Sequence, residues 1–124
     1  MTTRLGRITI SVAELSSALD LYEGVLGLTR KYANDELAML TTEDPAVEVL
    51  LHRREPSRGD FAVAPTFAVD DVDGTTAAAV VAGAEVVDEP SDQPWGERQA
   101  VLRDQDGHIL CVVSPIPDEA PEIL

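Results

Sequence analysis

A chain of 124 residues with 44% hydrophobic content is long enough to bury a real core in one domain, and it is too rich in Val, Leu and Ile for a disordered tail. Nine Lys and Arg against 23 Asp and Glu leave a formal net charge of −14, and the absence of a basic stripe able to neutralise phosphates excludes a nucleic-acid groove. A single cysteine excludes an internal disulfide framework.

The first segment, ITISVAELSSALDLYEGVLGL at 8–28, opens with alternating apolar residues, the pattern of a strand. The alternation then gives way to helical spacing, with Leu15, Ala18, Leu19, Tyr22, Val25 and Leu26 on one face. Ser16 or Ser17 supplies an N-cap, and Gly24 or Gly27 a stop. Three strand-like runs follow, LTRKYAN, LAMLTTE and AVEVLLHR, separated by N-D and E-D-P turns. The segment REPSRGD at 54–60 is polar and turn-rich and reads as a linker; with His52 and Arg53 it forms the best basic cluster, interrupted by Glu55 and Pro56.

The second segment, TFAVDDVDGTTAAAVVAGAEV at 66–86, repeats the sequence of events. A strand leads to a short Ala/Val helix that Asp71 or Asp73 can cap and Gly83 ends. The runs AEVVDEP, RQAVLRD and HILCVVS then read as strands, joined by an S-D-Q-P-W-G loop and a D-Q-D-G turn that holds His108 in solvent. The tail PIPDEAPEIL carries three prolines and three acids and reads as extended or frayed. No run of about 18 apolar residues occurs, and the start MTTRLGRITISV has no signal-peptide h-region, so a cytoplasmic protein is expected.

The two segments align as an internal repeat, with Ile10 opposite Phe67, Val12 opposite Val69, Glu14 opposite Asp71 and Leu15 opposite Val72. Each half therefore reads strand–helix–strand–strand–strand. One helix covers one face of such a sheet and leaves the other open. Two sheets packed together, within the chain or between chains, would cover it.

These modules, with LDLYEGVLGL in the first and VDDVDG, QPWGER and DQDGH in the second, resemble the vicinal oxygen chelate superfamily, over about residues 5–114. That group includes glyoxalase I, extradiol dioxygenases, fosfomycin-modifying enzymes and bleomycin resistance proteins. The resemblance implies an α+β fold: two βαβββ modules forming paired curved sheets around a cleft, commonly in a homodimer. Module 1 would span about 5–53, the linker 54–60, module 2 about 61–114, and the tail 115–124.

The resemblance also implies His or Glu metal ligands at equivalent strand positions, where this chain carries Arg7, Ala64 and Cys111, leaving Glu48 as the one acidic ligand position retained. A catalytic divalent site wants about three protein ligands with one position open. Arg7 is permanently cationic and Ala64 offers no donor. Glu48 with Cys111 pairs hard oxygen with soft sulfur. Adding His52 helps little, since residues four apart on a strand lie roughly 13 Å apart. No cofactor and no metal are expected, with Glu48 the ligand if any is bound.

A ligand-binding set can still be named. Trp95, between Pro94 and Gly96, is either a packing plug or a stacking surface for an aromatic ligand. Arg98 is either a surface ion-pair partner or a donor beside Trp95. Arg7 either pairs with Glu48, filling the space of a metal, or lies on the surface. Tyr32, Met39, Leu50 and Phe67 could line an apolar cavity, and core packing explains them equally well. Cys111 reads as a small core hydrophobe at the missing ligand position. The function expected is a metal-free small-molecule-binding protein that resembles the antibiotic-sequestering bleomycin-resistance type, its acidity suiting a cationic or aromatic antibiotic. The alternatives are a metal-dependent glyoxalase- or dioxygenase-like enzyme on a small oxygenated substrate, and a subunit that uses the fold only for association.

Overall fold

In the first half, alternation produces β1 (Arg7–Val12), and three further strands follow one helix: β2 (Thr29–Ala33), β3 (Leu37–Thr41) and β4 (Glu48–Arg53). The computed structural model describes residues 5–58 and 63–116. Contacts divide the chain into two units, residues 1–57 and 58–124. In the first, the sheet runs β1-β4-β3-β2, with β1 parallel to β4 and the other pairs antiparallel. Ile10, Val12, Ala38, Leu40, Val49 and Leu51 are buried, and their period of two puts them on one side of the sheet.

The helix α1 (Leu15–Leu19) continues as a π-helical turn over Asp20–Val25, with the Leu26 amide bonded to the Leu21 carbonyl at 2.9 Å. The wide turn turns two consecutive side chains inward, so Leu21 and Tyr22 are both buried, while Leu19, Val25 and Leu26 of the expected stripe are only half-buried. Gly27, at φ 75°, makes the stop, and Gly24 lies inside the turn. Neither Ser16 nor Ser17 is the N-cap. Glu14 stands there in extended conformation without a side-chain bond, because starting the helix at Leu15 is what turns Ala18, Leu21 and Tyr22 inward.

The second unit repeats this plan with β5 (Thr66–Ala68), α2 (Val72–Val81), β6 (Glu85–Asp92), β7 (Glu97–Arg103) and β8 (Ile109–Pro115). Its sheet order, β5-β8-β7-β6, is that of the first unit displaced by four strands, again with the outer pair parallel. The repeat read from the sequence holds at the helix starts, since Glu14 and Asp71 occupy the N-cap positions of α1 and α2. Asp71 does cap: its Oδ1 accepts the Gly74 amide at 3.1 Å. Gly83, at φ 106°, ends α2. Asp71→Ala should lower stability by about 1 kcal/mol, read as a shifted midpoint in urea. An unchanged midpoint would mean that α2 is held by packing alone.

The D-Q-D-G turn closes on Asp104, whose Oδ1 accepts the amides of Asp106 (3.0 Å) and His108 (2.8 Å), with Gly107 at φ 90°. His108 is consequently half-buried and not held out in solvent. The part of the linker at 59–60 and the tail beyond 116 lie outside the described residues. No helix among the described residues is long and apolar enough to cross a membrane.

Candidate functional site

The side of the first sheet opposite its buried stripe is assembled by strand register. Arg7, Glu48 and Thr41 stand in one row across the strands, Thr9, Leu50, Met39 and Tyr32 in the next, and Ser11, His52 and Leu37 in the third. Five of the sequence-predicted residues, Arg7, Glu48, Leu50, Met39 and Tyr32, thus share one face. Thr9, Ser11 and His52 join them by the same i, i+2 rule that runs from Arg7 and from Glu48.

The first row is an ion pair. Arg7 Nε and Nη2 both donate to Glu48 Oε1, at 3.0 and 2.8 Å. Both side chains are about half exposed, so the pair contributes under about 1 kcal/mol to folding. Its consequence is chemical: a guanidinium has no lone pair to offer a metal, and it engages the carboxylate that could. The second row is largely apolar. Met39 and Leu50 are half-buried, and Tyr32 is 55% exposed with its hydroxyl accepting from Asn34 Nδ2 at 2.8 Å.

In the second unit the predicted residues separate onto two sides of the sheet. Arg98 is in register with Ser114, and Phe67 with Val112, on the side that carries α2. There Arg98 clasps Asp73 in the first turn of α2 (2.7 and 2.9 Å) and Asp92 on β6 (3.0 Å). The surface ion-pair reading of Arg98 is therefore the one the geometry realises, and the clasp holds the Asp73 carboxyl below the usual carboxylate range. Cys111 stands on the opposite side with Val101 and Thr66.

Cys111 is half-buried and burial pushes its thiol pKa up, the Thr66 hydroxyl opposing and the Asp88 charge adding to the rise. Its alkylation by iodoacetamide should be slower at pH 8 than that of an unstructured cysteine peptide, with the rate profile displaced to higher pH. Because the folded pKa lies above the unfolded one, the group's contribution to stability is lost as pH rises between the two. Alkylation as fast as in the peptide would show a reactive thiolate.

Trp95 is 56% exposed in the loop between β6 and β7, and its Nε1 donates to Glu97 Oε1 at 2.9 Å. The loop is closed by Gln93 N to Glu97 O (2.7 Å) and Gly96 N to Gln93 O (3.1 Å), with Gly96 at φ 91°. The indole is anchored through Nε1 and stands more than half exposed. Glu97 was not among the predicted residues; its place two positions after Trp95, at the start of a strand, is the signal that could have found it.

A metal fits this donor set poorly. Arg7 and Ala64 supply no ligand atom, Glu48 is engaged by Arg7, and among the described residues no group of three His, Cys, Asp or Glu comes together.

Known proteins share the architecture. The chain is 37% identical over 106 residues to the candidate glyoxylase CFP32 of Mycobacterium bovis and of Mycobacterium tuberculosis; the match covers 82% of this chain, which spans 40% of the length of those relatives. A glyoxalase-related enzyme from Fulvimarina pelagi superposes with a TM-score of 0.78 at 18% identity, covering 97% of this chain and 95% of that one. TnmS3, an antibiotic binding protein from Streptomyces sp. CB03234, superposes with a TM-score of 0.67 at 22% identity, covering 92% and 97%. The fold is thus shared by a glyoxalase-related enzyme and by an antibiotic binder. Residues 4–112 match the glyoxalase/bleomycin resistance protein/dioxygenase superfamily, and with both modules in place from β1 to β8, the chain belongs to that superfamily.

Proposed function

We propose that the chain is a metal-free small-molecule-binding protein of the superfamily that sequesters an aromatic or cationic antibiotic in the cytoplasm, acting as a homodimer. The observation that carries this reading is the Arg7–Glu48 pair, which puts a cation where the resemblance expects a metal ligand and occupies the remaining carboxylate. The half-buried apolar row of Met39 and Leu50 in the first unit offers an apolar surface, and the exposed indole of Trp95 in the second offers a stacking surface of its own. The antibiotic-binding character of TnmS3 supports the ligand class, and the net charge of −14 favours a cationic one.

The test is titration calorimetry with fluorescence of the single tryptophan across glycopeptide and enediyne antibiotics. Saturable heat with quenching of Trp95 is expected for at least one. No saturable binding across the panel would overturn the reading.

The 37% identity to a candidate glyoxylase favours a second reading, a metal-dependent enzyme acting on a small oxygenated substrate. It requires stoichiometric divalent metal in protein never exposed to chelator, lost on Glu48→Ala. Metal analysis that finds none removes it.

A further inference from the structure

Among the described residues, every arginine but one holds a carboxylate. Arg7 pairs with Glu48, Arg30 with Glu23, Arg53 with Glu36, Arg58 and Arg103 with Glu85, and Arg98 with Asp73 and Asp92, at 2.7 to 3.9 Å. Arg54 is the exception, in a chain with 23 acidic residues against nine basic ones. Its Nε donates instead to the Ser11 hydroxyl at 2.6 Å. With acids so abundant, an exposed guanidinium on a flexible stem would be expected to find one; Glu55, its neighbour in sequence, does not take it.

The Ser11 bond orients the guanidinium by Nε and leaves both terminal nitrogens, Nη1 and Nη2, as a fork without a partner among the described residues. The backbone beneath is also fixed, since the Arg54 amide donates to the Val12 carbonyl at 3.1 Å and the Arg53 amide to the Glu36 carbonyl at 2.7 Å. Arg54 lines an open depression of about 460 Å³ with Ala13, Arg53, Glu55 and Pro56. Arg53 brings a second positive charge, tied to Glu36 by one exposed contact of 3.2 Å. Glu55 adds one negative charge beside Arg53 and Arg54.

We propose that this depression at the end of β4 binds the oxyanion of a small organic molecule, a carboxylate or a phosphate ester, with the Arg54 fork as its principal contact. A guanidinium matches such a group with two parallel hydrogen bonds, and Ser11 has already restrained the side chain that makes them. These residues are different from the Arg7–Glu48 row and from Trp95, and the proposal holds whether or not an antibiotic is the ligand of those elements.

Titration with sodium acetate and with sodium phosphate, at ionic strength held constant with sodium chloride, tests it through the arginine Nε–Hε signals and the amides of Ala13 and Glu55. Saturating shifts at Arg54 and both amides are expected with acetate or with phosphate, and not with chloride; whichever anion saturates identifies the source of the oxyanion. R54Q should weaken the binding about tenfold or more, and R54K, which keeps the charge without the fork, should also weaken it. R30Q removes the same charge elsewhere on the chain and should leave it unchanged. The proposal is overturned if R54Q binds as the parent does while its amide spectrum stays folded, if R30Q loses as much as R54Q, or if neither anion shifts Arg54 beyond chloride.

Discussion

Leu51→Ala is expected to cost about 2–5 kcal/mol of folding stability, and Leu50→Ala, on the adjacent residue, about 1 kcal/mol. The two leucines differ only in which side of the first sheet they face. Leu51 is fully buried, in register with Ile10 of β1 and Ala38 of β3, both buried as well. Truncation there removes apolar area and leaves a hole that close-packed neighbours fill only in part. Leu50 is half-buried in the row with Thr9 and Met39, so alanine removes contacts without opening an enclosed cavity. Against a typical domain stability of about 5–15 kcal/mol, the first change alone could unfold a sizeable fraction of the protein. Urea midpoints of the two variants check this. Equal costs would mean that β4 is displaced by one residue, which would also move Glu48 off the row it shares with Arg7.

Much of the fold can be read from local chemistry, because alternation, turn residues and a capping aspartate are short-range signals. The six long strands begin and end within about two residues of the runs that announce them, and Asp71, Gly27 and Gly83 mark helix ends as their chemistry requires. The π-helical turn could not be read, since Leu15, Ala18, Leu19, Tyr22, Val25 and Leu26 fit an ordinary helical stripe. Burying Leu21 beside Tyr22 is a demand of the tertiary packing.

The site was partly readable for a related reason. Arg7 and Glu48 were placed by the resemblance, which left their pairing open against a plain surface position; the folded chain brings the two together. The side of the sheet that Arg98 and Cys111 each face depends on the register set by the turn at 104–108. That turn pairs Arg98 with Ser114 and Val101 with Cys111, which sends Arg98 toward α2. Arg54 sat in plain view in HRREPSR; that it pairs with no carboxylate among the described residues is a property of the folded surface and has no local signature.

Trp95→Ala is expected to weaken ligand binding by about tenfold to a hundredfold while leaving the thermal midpoint nearly unchanged. An aromatic stacking contact is worth up to about 1.5 kcal/mol beyond the area it covers, and the lost area adds to it. The fold should tolerate the change because more than half of the indole is already in solvent and its hydrogen bond to Glu97 is an exposed contact on the loop. The loop keeps its shape through backbone bonds at Gln93 and Gly96, which the substitution does not touch. Trp95→Phe should keep most of the affinity, since a phenyl ring preserves the stacking surface while losing the anchor to Glu97. Glu97→Gln is the sharper control: it retains an acceptor for the indole N–H but removes the charge, so a neutral aromatic ligand should bind as before and a cationic one more weakly. Calorimetry with a ligand found by the antibiotic panel measures all three. If Trp95→Ala binds as tightly as the parent, the indole is no part of the site and recognition rests on other residues.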